Sequence, residues 1–95
     1  MAHELSRREK TVPIGGNLKM RVQEMDITSY EEGGEDFAPA DVNMRRFVFV
    51  VPLQVSADDF NVNYDEDAEA VKLLDHNGEV GAGETATVVL VSVGV

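Results

Sequence analysis

The stretch TATVVLVSVGV, residues 85–95, decides the fold. Its odd-numbered residues from 87 to 93 alternate with its even-numbered residues from 88 to 92, and a period of two is typical of a β-strand. Both sets are mainly apolar, whereas a strand at the surface of a sheet has one polar face. The stretch therefore predicts a strand that is central in its sheet or covered on both sides.

Alternating segments upstream of it predict further strands at 18–28, 47–53, 60–65 and 69–75. In the first of these, the apolar residues change parity between Val22 and Met25, which predicts a β-bulge near residues 23–24. The segment FVFVVPL, residues 47–53, is almost continuously apolar and predicts a buried strand. Because proline cannot donate a hydrogen bond to a neighbouring strand, Pro52 is expected to end it.

Turn residues separate these strands. Asn77–Gly78 predicts a tight hairpin, and the loop at 29–44 contains a Gly33–Gly34 turn and one helical turn after Pro39. Short strands divided by such turns, with no long amphipathic helix, predict an all-β fold. We expect a small β-sandwich or barrel, jelly-roll-like, over residues 18–95, preceded by an extended basic arm over residues 1–17.

The charge of the chain is unevenly distributed. The net charge is −10, yet residues 1–22 hold five Arg or Lys and two acids, whereas residues 23–95 hold three and sixteen. An acidic body repels phosphate backbones, so no nucleic-acid partner is expected. The surplus of acids over lysine is tolerable at high ionic strength, which makes a halophilic host one interpretation and an ordinary acidic protein the other.

A basic arm and an acidic body suggest self-association, because complementary potentials orient partners. The arm of one copy is then expected to lie on the body of a neighbour. The predicted partner-binding residues are basic: Arg7, Arg8, Lys10, Arg45 and Arg46. The two arginines of the pair at 45–46 could equally bind acids of their own loop, and the arm could equally be an ordinary disordered terminus.

The sequence offers little chemistry. The weak metal candidates Asp65, Asp67 and Glu69 form an acidic turn, but the glycine and glutamate that an EF-hand places later are missing. A solvated turn is the preferred interpretation, so no metal and no cofactor is expected. His3 and His76 have no second ligand at metal spacing, so both are expected to be solvated imidazoles. No serine lies in a nucleophile motif. No catalytic residue, and no enzyme activity, is predicted.

From Tyr30 onward the chain resembles small virion structural proteins of tailed bacteriophages and related haloarchaeal viruses. The resemblance rests on a Tyr-x-x-Gly-Gly-x-x-Phe-x-x-x-Asp loop at 30–41, a Val-rich strand, the Phe-x-x-x-Tyr-Asp strand at 60–65, Val71–Lys72–Leu73 and the closing Val-rich strand. The chain departs from that pattern at Asn43, where the group has glycine, and in its short middle region. The resemblance implies a capsid decoration or cement protein that bridges capsomers, with the major capsid protein as partner and homotrimers at threefold sites.

Other functions remain open at this point. A tail or head–tail component would have the same sequence features, and a small carbohydrate- or ligand-binding β-module would need an exposed aromatic platform. The longest apolar stretch is too short to cross a membrane, so no membrane partner is expected. The N-terminus lacks the apolar core of a secretory signal, which predicts synthesis in a host cytoplasm and, from the resemblance, a final place on the capsid surface of the virion.

Overall fold

The computed structural model describes residues 2–7, 11–56 and 60–95. Within them the chain forms nine strands and one 3-10 turn, and no α-helix. The strands are β1 (Ala2–Arg7), β2 (Val12–Gly15), β3 (Leu18–Ser29), β4 (Glu35–Asp36), β5 (Phe47–Val55), β6 (Asn61–Asp65), β7 (Ala70–Asp75), β8 (Gly78–Glu79) and β9 (Ala86–Gly94), and the 3-10 turn is Pro39–Val42.

The strands form two antiparallel sheets, so the protein is a small β-sandwich. The first sheet has the order β1–β3–β9–β5, with β2 continuing the β1 edge along β3. The second sheet has the order β4–β7–β6, with β8 on β7. The C-terminal strand β9 is therefore central, as its two apolar faces predicted.

The core lies between the sheets. Phe37 stacks on Phe47 with ring centroids 5.4 Å apart, and Tyr64 meets both rings edge-on. Val88 and Leu90 of the central strand are fully buried on the same side. Other core members come from β3, β7, the loops and the start of β9: Met25, Ile27, Tyr30, Val42, Met44, Val71, Leu73, Val80 and Ala86.

A hydrogen-bond network centred on Tyr30 fixes the loop after β3. The buried hydroxyl donates to Glu79 Oε2 at 2.6 Å and accepts the Leu73 N–H at 3.2 Å. The same carboxylate oxygen accepts the Gly33 N–H at 2.7 Å. Burial raises the pKa of Tyr30, and the Tyr30 hydroxyl, followed by the Gly33 N–H, holds the pKa of Glu79 below its ordinary value. This network joins β3, the glycine turn and the second sheet.

Several local predictions are confirmed. The 3-10 turn follows Ala38, and the β7–β8 hairpin closes on the two residues after Asp75. In that hairpin only Gly78 has a positive φ, +113°, so the glycine rather than the asparagine supplies the unusual conformation.

The predicted bulge in β3 is wrong. Its ladder with β9 runs without a register shift from Lys19 to Ile27. Instead, polar side chains take the inner positions: Gln23 is only 1% exposed and its Oε1 accepts from Arg21 Nε at 2.9 Å. Polar pairing inside the sandwich removes the need for an extra residue.

The prediction for residues 47–53 is also wrong in two respects. The strand β5 does not end at Pro52 but continues to Val55, and it lies at the sheet edge with Val48, Phe49, Val51 and Leu53 exposed. An edge strand needs partners on one side only, so it tolerates a residue that cannot donate.

The segment predicted as an extended arm is extended, but its described parts lie on their own chain. Both β1 and β2 pair with β3 of the same chain. Leu5 of β1 packs against the core. Residues 8–10 lie outside the described residues.

Candidate interaction surface

The register of the first sheet shows which side chains face away from the second sheet. Val88 and Leu90 of β9 point into the core, and directly opposed residues of antiparallel strands share a face. Val89, Val91 and Val93 therefore point the other way. We call the side of the first sheet on which they lie the outer face.

The outer face is organised in cross-strand rows. One row contains Val12, Met20, Val93 and Phe49, and the next contains Val22, Val91 and Val51. We call these two rows the apolar patch. The third row holds Glu24, Val89 and Gln54, and the fourth holds Glu4, Asp26 and Thr87. The outer face is thus apolar at one end and acidic at the other.

The exposed hydrophobic residues concentrate on this sheet. All seven large hydrophobic side chains that are exposed in the described part of the chain belong to β2, β3 or β5. Within the patch Phe49 is 43% and Val51 is 42% exposed, and Leu53 beside it is 61% exposed. Scattered exposed apolar residues are normal, but a contiguous group of this kind marks an interaction surface.

Two edge strands of the first sheet, β5 and β2, are poorly suited to accept another strand. In β5 the register shifts between Phe47 and Phe49 and again between Pro52 and Gln54. In β2 it shifts between Pro13 and Gly15. Bulges and prolines on edge strands oppose strand addition. The strand β1, which forms the rest of the edge that contains β2, pairs with β3 without a shift from His3 to Arg7. The outer face is therefore favoured as the partner surface by its exposed apolar side chains and not by the edges alone.

The predicted basic residues do not form one group in the described structure. Arg7 is the last residue of β1, opposite Gln23, and Arg8 and Lys10 lie outside the described residues. Arg45 and Arg46 line a cleft of about 340 Å³, whose other side contains Glu66, Asp67 and Glu69.

The carboxylate of Asp65 is bonded within the acidic turn and to a neighbouring lysine. Asp65 Oδ1 accepts the N–H groups of Asp67 and Ala68 at 3.0 and 3.2 Å, and its other oxygen lies 2.9 Å from Lys72 Nζ. The Lys72 ammonium holds the pKa of the Asp65 carboxyl below its ordinary value. In the described ranges no group of three His, Cys, Asp or Glu side chains could hold a metal ion. Asp65, Asp67 and Glu69 lie in a turn that these bonds hold in place.

His3 has a role that the sequence did not indicate. Its Nδ1 lies 2.7 Å from Oε1 of the fully buried Glu35, whose other oxygen accepts the Glu31 N–H at 2.8 Å. The expectation of a solvated imidazole is wrong for this residue, because β1 carries His3 between the sheets. The contact joins β1 to the second sheet.

These features define a small β-sandwich with an uncovered apolar face on its larger sheet. Among the described residues no helix is long and apolar enough to span a membrane. No protein-family model matches the chain, and no curated protein or solved structure is significantly similar to it.

Proposed function

We propose that the protein is a non-enzymatic structural protein of a virion, a capsid decoration or cement protein that binds the outer shell. The partners in this proposal are the major capsid protein and further copies of the chain. The virion assignment comes from the resemblance of residues 30–94, and the assembly role is supported by one observation, the apolar patch. Two rows of apolar side chains on one sheet, of which Val12, Phe49 and Val51 are exposed, suit a protein that is one part of a larger assembly.

If the N-terminal segment bridges neighbouring copies, it does so as an exchanged strand and not as a free arm. Since β1 and β2 pair with β3 of their own chain, bridging would require β1 to leave β3 and occupy the same position on a neighbour. Exchange of an identical element is a known route to oligomers. Removing residues 1–17 would uncover β3, so the truncated chain would lose stability as well as any bridge.

The alternative functions differ in their support. A tail or head–tail component would use the same apolar patch. A carbohydrate-binding module needs a platform of exposed aromatic rings. Phe49 is exposed, but Tyr30 and Tyr64 are buried in the core and bond Glu79 and the Phe37 carbonyl.

Fractionation of particles tests the proposal. In density gradients of nuclease-treated lysates from cells that produce the chain, we expect it in the fractions of DNA-filled particles at a constant copy number. Replacing Val51 in the patch by Lys should release it from particles. Asn63→Lys, which adds the same charge on the exposed face of β6, should not. A chain that stays at the top of the gradient contradicts the virion role.

A further inference from the structure

We propose that the apolar patch binds a second copy of this chain, face to face and antiparallel, to form a twofold-symmetric dimer. The inference rests on the proposed role as an assembly subunit and names the partner of that surface. It differs from the homotrimer that the resemblance implies. Three properties of the outer face support it: its area, its charge distribution and the nature of the sheet edges.

The area of the patch suits a second sheet. Strands lie about 4.8 Å apart and rise about 3.3 Å per residue. With the exposed Leu18, which lies on the same face of β3 as Met20, the apolar part of the outer face is up to four strands wide and about five residues long, so it presents roughly 300 Å² in projection. Side chains that stand on the sheet expose more than this projection. Two such faces therefore bury on the order of 1,000 Å² in total, which reaches the lower limit of a specific interface.

The shape of the patch also suits a second sheet. The row of Val22, Val91 and Val51 consists only of valine, and β-branched side chains on a pleated surface interdigitate across two stacked sheets about 10 Å apart. A second copy offers the same valine row. The edge strands β5 and β2, with their register shifts and prolines, do not offer this contact.

The acidic end of the outer face selects the antiparallel orientation. Glu4, Glu24 and Asp26 share the outer face beyond the apolar patch. Parallel stacking would place these three carboxylates over the same three of the second copy, and opposed like charges are unfavourable. A twofold axis near Met20 and Val93 instead places each acidic end beyond the apolar rows of the other copy, at opposite ends of the dimer.

The mass of the intact chain in solution tests the dimer. One chain has a mass of 10.4 kDa. We expect light scattering to give about twice that mass, and a smaller dissociation constant at about 2 M KCl than at low salt. Each copy carries a net charge of −10, and salt screens the repulsion between copies.

Two matched variants locate the contact. Val51→Lys places an unpaired charge at the centre of the interface, twice per dimer, and should weaken dimerisation by at least about 100-fold. Asn63→Lys should leave the dissociation constant unchanged. Because Val51 is exposed in the single chain, the variant should keep the circular dichroism and urea midpoint of the monomer.

Three outcomes overturn the inference: a trimer, a monomer at every concentration and salt, or a dimer that Val51→Lys does not weaken. Failure of the virion role is recognised separately. A monomer that still sediments with particles removes the dimer only. A dimer that never sediments with particles removes the virion role and leaves the assembly surface in place.

Discussion

Replacing Tyr30 by Phe tests whether the network around its hydroxyl holds the two sheets together. The variant keeps the ring in the core but removes the donor to Glu79 and the acceptor of the Leu73 N–H. The Glu79 carboxylate is exposed and recovers a hydrogen bond from water. The Leu73 N–H is buried and recovers none.

The magnitude follows from that asymmetry. A buried N–H left without an acceptor costs about 1–3 kcal/mol, and replacing the Tyr30–Glu79 hydrogen bond by one to water costs about 0.5 kcal/mol more. We therefore expect the free energy of unfolding to fall by about 2–3 kcal/mol. For a domain of this size, 1 kcal/mol corresponds to roughly 4–8 °C. The midpoint of thermal unfolding should therefore fall by about 10–20 °C.

Tyr64→Phe is the matched control. It removes one hydroxyl that donates to the Phe37 carbonyl at 2.7 Å, and no backbone N–H depends on it. Under-satisfied carbonyls are tolerated better than orphaned N–H groups, so we expect a loss of about 1 kcal/mol. Urea unfolding at one protein concentration measures both, since the stability of a dimer depends on concentration.

Hydrogen exchange gives a second measurement of the same network. In Tyr30→Phe the Leu73 amide should exchange faster relative to its neighbours in β7, whereas in Tyr64→Phe it should not. If Tyr30→Phe costs no more than Tyr64→Phe, the reasoning about the orphaned N–H is refuted.

Two further predictions concern the pH dependence of stability and the space for a side chain at a buried glycine. Glu79→Gln should lower stability by about 1 kcal/mol at neutral pH, discounted for the exposure of the carboxylate. The pKa of Glu79 is held below its ordinary value of 4.5, chiefly by Tyr30, so this stabilisation is full above that value and is lost as the pH falls through the lowered pKa. Urea unfolding should therefore show a smaller difference between the two proteins at about pH 3 than at pH 7, and an equal difference at both would contradict a role for the ionised carboxylate. Gly94→Ala should cost about 2 kcal/mol or more, because a Cβ there meets the Arg46 carbonyl oxygen, whereas Gly81→Ala has open space and should change the urea midpoint little. Equal effects of the two glycine variants would show that the backbone near Arg46 moves enough to accommodate the added Cβ, which would contradict the prediction.

Much of the fold was predictable because its signals are local. Alternation placed β3, β6, β7 and β9 within one or two residues, and turn chemistry placed the hairpin before Gly78. Phe37 and Val42 are apolar residues within a largely polar loop, and both are fully buried. These properties depend on neighbours along the chain.

The candidate site was not predictable in the same way, although its signal is present. In β3 the apolar positions pass from Met20 and Val22 to Met25 and Ile27, which a bulge would have reconciled on one face. The structure keeps the register and leaves the first pair on the outer face, beside Val91. The parity change was the sequence signature of a strand that is apolar on both sides.

The order of residues along the chain was sufficient to establish the strands, the turns and an all-β fold, because side-chain alternation and turn conformation are properties of a few adjacent residues. Which face of each strand is covered depended on the tertiary structure, as did the edge position of β5 and the contact of His3 with Glu35. The physical reason is that a period of two separates two faces but does not say which one meets the other sheet. That choice is made by the register and by packing between segments distant in the sequence.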